Sequence, residues 1–277
     1  MSREIPIETV HLFPVLDQSL IDLLKSLSPD DWSKPTLAKL WNVKDIAAHL
    51  LDGNVRALSS KHQFATDGLP VINSYQDLVN YLNQLNATWV AAMKRTSPQM
   101  LTQLLQTTGK QYSEHIATLD LFETARFPVA WAGEKESLNW FHIAREYTEK
   151  WHHQQQIREA VNKQGIMHRE LFYPCIATFM YALPHTYRNV EAGDGTLIEI
   201  IITGETGGNW FLQRENNGWI LKADKNKPAD CEVIISPDIA WKLFTKGIAP
   251  GFALEKATIT GNIKLGEPLF NMISVMA

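Results

Sequence analysis

Apolar residues near the start of the chain fall at Val10, Phe13, Leu16, Leu20, Leu23, Leu24 and Leu27, steps of three and four that draw one helical stripe between Ile7 and Leu27. Ser28-Pro29-Asp30-Asp31 ends it, because proline disfavours helical geometry in the residue before it. A second stripe, Val43, Ile46, Ala47, Leu50, Leu51 and Leu58, follows Asn42, which forms a near capping box with Asp45. Asp67-Gly68-Leu69-Pro70 is expected to close that segment. A third helix starts near Asn73 or Ser74, both good caps, and carries Leu78, Tyr81, Leu82, Leu85, Trp89, Ala92 and Met93. Ser97-Pro98 sets a proline in a first helical turn, where its missing N–H costs nothing, and opens a fourth stripe through Met100, Leu101, Leu104, Leu105, Tyr112 and Ile116. Beyond the irregular FPVAWAG, one long helix is expected from about Ser137 to Lys163. Long amphipathic helices on short connections predict an all-α bundle.

The pattern changes after Gly165. One more helix, Glu170 to about Arg188, precedes the β-branched run Thr196–Ile202, and further strands are expected at Asn209–Gln213, Trp219–Ala223 and Glu232–Ile235. The turns between them hold GG, NNG and proline. A helix over Pro237–Lys246, a strand over Ala257–Thr260 and a helix over Asn262–Ile273 complete an α+β pattern. The chain therefore divides into a helical bundle, residues 1–166, and an α+β domain, residues 167–277.

Length agrees with two domains: 277 residues, 45% apolar and 20% charged, suffice for two cores. A net charge of −4 without a basic run offers no footprint for nucleic acid. Cys175 and Cys231 lie far apart and outside any CxxC pair, so neither a disulfide framework nor a thiolate zinc knuckle is expected. No stretch approaches the ~18 apolar residues of a membrane span, and MSREIPIETVHLF lacks the apolar region of a secretory leader, so the cytoplasm is the expected compartment. Oligomeric state is not legible in these patterns.

The chemistry concentrates in NWFHIAREYTEKWHHQQQIREA, residues 139–160. Positions four apart share a helix face, so Glu149 and His153 can both reach one divalent ion, and His142 with Glu146 forms a second such pair. The alternative is a solvated polar face. A third donor must come from elsewhere, and His49, at the edge of its stripe, is the best candidate; it could equally be a hydrogen-bonded boundary residue. Two His and one Glu leave a coordination position open and suit zinc, with nickel, iron or manganese harder to exclude. Arg214, Arg145 and Arg158 could each clamp a substrate carboxylate or be ordinary charges. Trp210, Trp219 and Trp241 could line an apolar groove or fill a core.

WNVKDIAAHLLDGN together with REYTEKWHHQQQIREA resembles the DinB-like metal-binding bundle, specifically the mycothiol-dependent maleylpyruvate isomerase family. GGNWFLQRENNGWILK, the stretch at 240–245 and TITGNIKLGEPLFNMI are similar to the sterol-carrier-like domain that accompanies that bundle. The resemblance implies His49, Glu149 and His153 as metal ligands, with His152 the adjacent ambiguity. It further implies a divalent metal, zinc first, and a low-molecular-weight thiol cosubstrate acting on a small electrophile by isomerisation or S-transfer. Arg214 is then the candidate catalytic clamp and Glu146 the candidate acid–base group. Two other readings stand beside it: a non-catalytic small-molecule or lipid-binding module, and a metal-dependent hydrolase with Glu146 as general base.

Overall fold

The computed structural model describes residues 4–62, 70–216, 218–225 and 227–276. Four of its helices, Val43–Lys61, Tyr75–Met93, Pro98–Ile116 and Pro237–Phe244, start where a side chain satisfies one of the first free N–H groups. A short 3₁₀ turn, Val10–Leu12, leads into α1 (Phe13–Lys25). The α-helix begins later than the apolar stripe predicts because Pro14 fits only a first turn. α2 (Val43–Lys61) has the full capping box: Asp45 N–H donates to Asn42 Oδ1 at 2.9 Å, and Asn42 N–H to Asp45 Oδ2 at 3.3 Å. Ser74 and Ser97 cap α3 (Tyr75–Met93) and α4 (Pro98–Ile116), accepting from Asp77 and Met100 N–H at 3.1 and 3.2 Å. The long helix is α5 (Asn139–Val161). The turn expected at Asp67–Leu69 lies outside the described residues.

The chain forms two compact units. One comprises residues up to Glu123 together with Glu149–Ile166; the other comprises Thr124–Thr148 and Met167–Val275. This grouping differs from a single division between 166 and 167, and local bonds explain it. A bridge pairs Thr124 with Leu138, Ala125 N–H donates to Ser137 O at 2.8 Å, and Tyr147 Oη donates to Leu171 O at 2.8 Å.

In the first unit, Leu20, Leu24, Ile46, Ala47, Leu50, Leu101, Leu105, Ile157 and Val161 make one buried cluster. The polar half of α5 is not solvated. Lys150, His152, His153, Gln154, Gln155, Gln156 and Arg158 are all buried. Buried polar groups need partners: Lys150 Nζ meets Asp17 Oδ1 at 3.0 Å and Asn54 Oδ1 at 2.8 Å. Arg158 donates to Ser19 O, Ser19 Oγ and Gln164 O at 3.0, 2.9 and 2.6 Å. Arg158 is thereby a tie between α5 and α1.

The second unit holds a mixed sheet of β1 (Leu197–Ile202), β2 (Gly208–Glu215), β3 (Gly218–Lys222), β4 (Cys231–Ile235) and β5 (Thr258–Gly261), in the order β3-β2-β1-β4-β5. β1 runs parallel to β4, and the other neighbours are antiparallel. Ile198 and Ile200 sit in register with Leu212 and Trp210 on one side and with Cys231 and Val233 on the other. The predicted Glu170–Arg188 helix divides into α6 (Arg169–Met180) and α7 (Leu183–Thr186), with Pro184 in the first turn of α7. α8 (Pro237–Phe244) is as expected, whereas α9 (Pro250–Glu255) is not signalled by the sequence pattern. α10 (Ile263–Gly266) passes into a 3₁₀ turn, Glu267–Asn271, at Pro268. Trp219 and Trp241 are core residues, 4% and 0% exposed, and half-buried Trp210 stacks on Tyr173 at 5.9 Å. Asn217 of the NNG turn lies outside the described residues. Among the described residues no helix is long and apolar enough to cross a membrane.

Candidate metal centre

α2 supplies His49, and the second half of α5 supplies Glu149 and His153. One donor atom from each lies within 4.8 Å of the others, the one such cluster of His, Cys, Asp or Glu among the described residues. His153 Nε2 stands 3.7 Å from Glu149 Oε2, and the His49 and His153 rings meet edge to face at 4.6 Å. Tetrahedral donors at ~2.0–2.1 Å from zinc stand about 3.4 Å apart, so a small side-chain closure suffices to reach that geometry.

Two further observations fit a metal. His49 Nδ1 is buried without a hydrogen-bond partner. His153 Nδ1 lies 2.9 Å from Gln156 Oε1. An amide oxygen only accepts, so Nδ1 carries the ring proton and Nε2 turns its lone pair toward Glu149. Burial pushes both imidazoles toward the neutral form. His49 lies well below its ordinary value through desolvation, with the neighbouring His153, Arg56 and His152 adding to the effect. Desolvation and then His152 bring His153 down to about 3, against the opposing pull of Glu149. Neutral imidazoles and a carboxylate are the donor set a borderline divalent ion such as zinc takes.

Trp41, just before the cap of α2, walls the site: its ring lies 4.8 Å from that of His49 and 6.1 Å from that of His153. Thr36 Oγ1 donates to Trp41 O at 2.8 Å, and a Pro35–Asn42 bridge closes this loop. Neither Trp41 nor Gln156 stands out in the sequence patterns. The signals are there, in an aromatic beside a histidine-bearing helix start and a glutamine three residues after a histidine on one helix. His152 is 3% exposed and packs its ring 4.0 Å from that of His153, outside the donor cluster.

The second pair, His142 and Glu146, is bridged by a cation. Arg145 Nη2 lies 2.9 Å from His142 Nδ1 and 2.6 Å from Glu146 Oε1, and the pair is not part of the donor cluster. Arg214 stands on β2 opposite Trp219, half-buried in the second unit. Cys175 and Cys231 are buried, and burial raises the Cys231 thiol to about 11, so it offers no thiolate.

Residues 13–158 match the family described as "Mycothiol maleylpyruvate isomerase N-terminal domain", a span that includes all three clustered donors. Two crystal structures of the mycothiol-dependent maleylpyruvate isomerase, one of them a histidine-to-alanine variant, resemble the chain at TM-score 0.55. Each alignment covers 91% of both chains, at 10% identity for the variant and 11% for the other, a likeness of fold. Sterol Carrier Protein 2 from Yarrowia Lipolytica aligns with 28% of this chain and 67% of its own at 19% identity, with a TM-score of only 0.22. No curated protein matches the sequence. Since the family match spans more than half of the sequence, the chain belongs to the mycothiol maleylpyruvate isomerase N-terminal domain family.

Proposed function

We propose that the protein is a metal-dependent enzyme of the maleylpyruvate isomerase type. It uses a low-molecular-weight thiol as cosubstrate on a small electrophile, for isomerisation or S-transfer. The observation that carries this reading is the convergence of His49, Glu149 and His153 from two helices into one donor cluster. A bound divalent ion, zinc being the best match, supplies the acidity that makes a coordinated thiol a thiolate at neutral pH.

The chain's own groups supply the rest. His49 and His153 stay neutral and present nitrogen lone pairs, Gln156 holds the His153 proton at Nδ1, and Trp41 keeps water from one side. Sulfur addition to an activated double bond, rotation about the resulting single bond and elimination of the thiol would exchange cis for trans and return the cosubstrate. Attack of the thiolate at a saturated electrophilic carbon would instead form a thioether, with the bond to that carbon's leaving group breaking and the group departing with the electron pair. Arg214 is proposed as the carboxylate clamp, since its guanidinium matches a carboxylate two bonds at a time. Glu146, held by Arg145, is proposed as the acid–base group. Mycothiol is the first thiol to try, and a reducing compartment such as the cytoplasm suits such a cosubstrate.

The test is elemental analysis of the purified protein, followed by a screen of small thiols with cis-alkene dicarboxylates. Bound metal and thiol-dependent turnover, both lost in His49→Ala, are expected. Metal uptake with no thiol-dependent turnover would refute the catalytic assignment.

A further inference from the structure

Gln156 follows His153 by three residues on α5, so the two side chains share a face. It is 4% exposed, and its Oε1 lies 2.9 Å from His153 Nδ1. Metal-bound imidazoles are oriented in this way by a carboxylate, a backbone carbonyl or water, and the choice tunes the metal. A carboxylate at this position would add a negative charge; an amide does not. Glu149 is the one acidic member of the donor cluster. Arg56, the cation facing His49, is paired with Asp52 at 3.1 Å.

We propose that Gln156 is a positioning residue of the metal centre: it holds His153 in its ligating tautomer and, being uncharged, leaves a divalent site with net positive charge that selects an anionic fourth donor, a thiolate. The proposal rests on the reading above that His49, Glu149 and His153 hold a divalent ion. With one carboxylate and two neutral imidazoles, such a site keeps one positive charge, and a thiolate neutralises it. A carboxylate at position 156 would supply that neutralisation from the protein itself and weaken the attraction for sulfur.

Ring-nitrogen NMR of the metal-free wild type tests the first half directly. The Nδ1–H tautomer of His153 is expected, and an Nε2–H or mixed tautomer overturns the proposal. Cobalt(II) titrations followed by visible absorption then compare wild type with Gln156→Leu and Gln156→Glu, each checked by circular dichroism. Gln156→Leu is expected to bind cobalt about 10–100-fold more weakly, whereas Gln156→Glu, which keeps the acceptor, binds at least as tightly as wild type. The cobalt-loaded Gln156→Glu protein is expected to need several-fold more 2-mercaptoethanol than wild type to reach half-maximal sulfur-to-cobalt charge transfer.

Equal cobalt affinity of wild type and Gln156→Leu, or an equal thiol response of wild type and Gln156→Glu, overturns this proposal alone. A wild-type protein that takes up no cobalt overturns the metal reading and this proposal together. If Gln156→Leu fails to fold, the tautomer and the Gln156→Glu comparison still decide.

Discussion

Lys150 Nζ lies 3.0 Å from Asp17 Oδ1, joining α5 to α1 through an ion pair whose two side chains are only 10% and 17% exposed. Asn54 accepts a second bond from the same ammonium at 2.8 Å, and the ring of Tyr112 lies 4.5 Å below it. Removing one partner of a buried pair strands the other charge. Lys150→Met or Asp17→Ala is therefore expected to lose about 3–5 kcal/mol in urea unfolding, with the double variant recovering much of it. Losses below about 1 kcal/mol in both single variants would contradict the burial argument.

Gly109 lies on the α4 face turned toward Asp17, and a Cβ there would stand 2.9 Å from Asp17 Oδ2. In an open helix, glycine to alanine gains about 1 kcal/mol. Here Gly109→Ala is expected to reverse sign, because it pushes the carboxylate from Lys150 and from Ser113 Oγ, 3.3 Å away. A raised melting temperature would show that Asp17 moves aside freely.

His49→Ala is expected to change the stability of the metal-free protein by no more than about 1 kcal/mol, since Nδ1 already lacks a partner there. The same substitution removes one of three donors. Wild type should gain about 3–4 kcal/mol at zinc concentrations 100–1,000 times Kd, and His49→Ala should show almost none of that gain. Thermal melts with and without zinc check both halves.

His142 accepts from Arg145 and is held at about 4, chiefly by burial and then by that cation, with Glu146 opposing. The sign follows from proton counting: between about 4 and the ordinary 6.5 the unfolded chain binds a proton that the folded protein refuses. Stability should therefore fall as pH drops through this window, by about 3 kcal/mol for this residue, and level off below it. Histidine NMR should find the His142 ring neutral at pH 5.5, and a His142→Gln variant should lose less stability over the same range. A ring that titrates near 6.5 refutes this account.

Helix starts were the most legible part of the fold, because Asn42, Ser74 and Ser97 each act through local chemistry that a few residues contain. Strands β1, β4 and β5 follow β-branched runs closely, whereas β2 and β3 are marked by aromatic residues and the turns between them. The parallel pairing of β1 with β4 is not legible, since it joins residues more than thirty apart in sequence and no turn specifies it. Glu149 and His153 are visible as a pair through helical spacing, but their meeting with His49 depends on how α2 packs against α5. The burial of Gln154, Gln155 and Gln156 runs against residue-type expectation altogether, because glutamine is ordinarily a surface residue.

That buried polar half of α5 acts as a ruler. A greasy helix can slide by a residue and still hide its side chains, whereas this one must match Lys150 to Asp17, Arg158 to Ser19 and His153 to the ring of His49 at once. A slip of one position would break every match together and leave unpaired charge away from water. The helix that carries two of the three donors is thus indexed by polar pairing, and the accuracy of the cluster comes from contacts that contribute little net stability of their own.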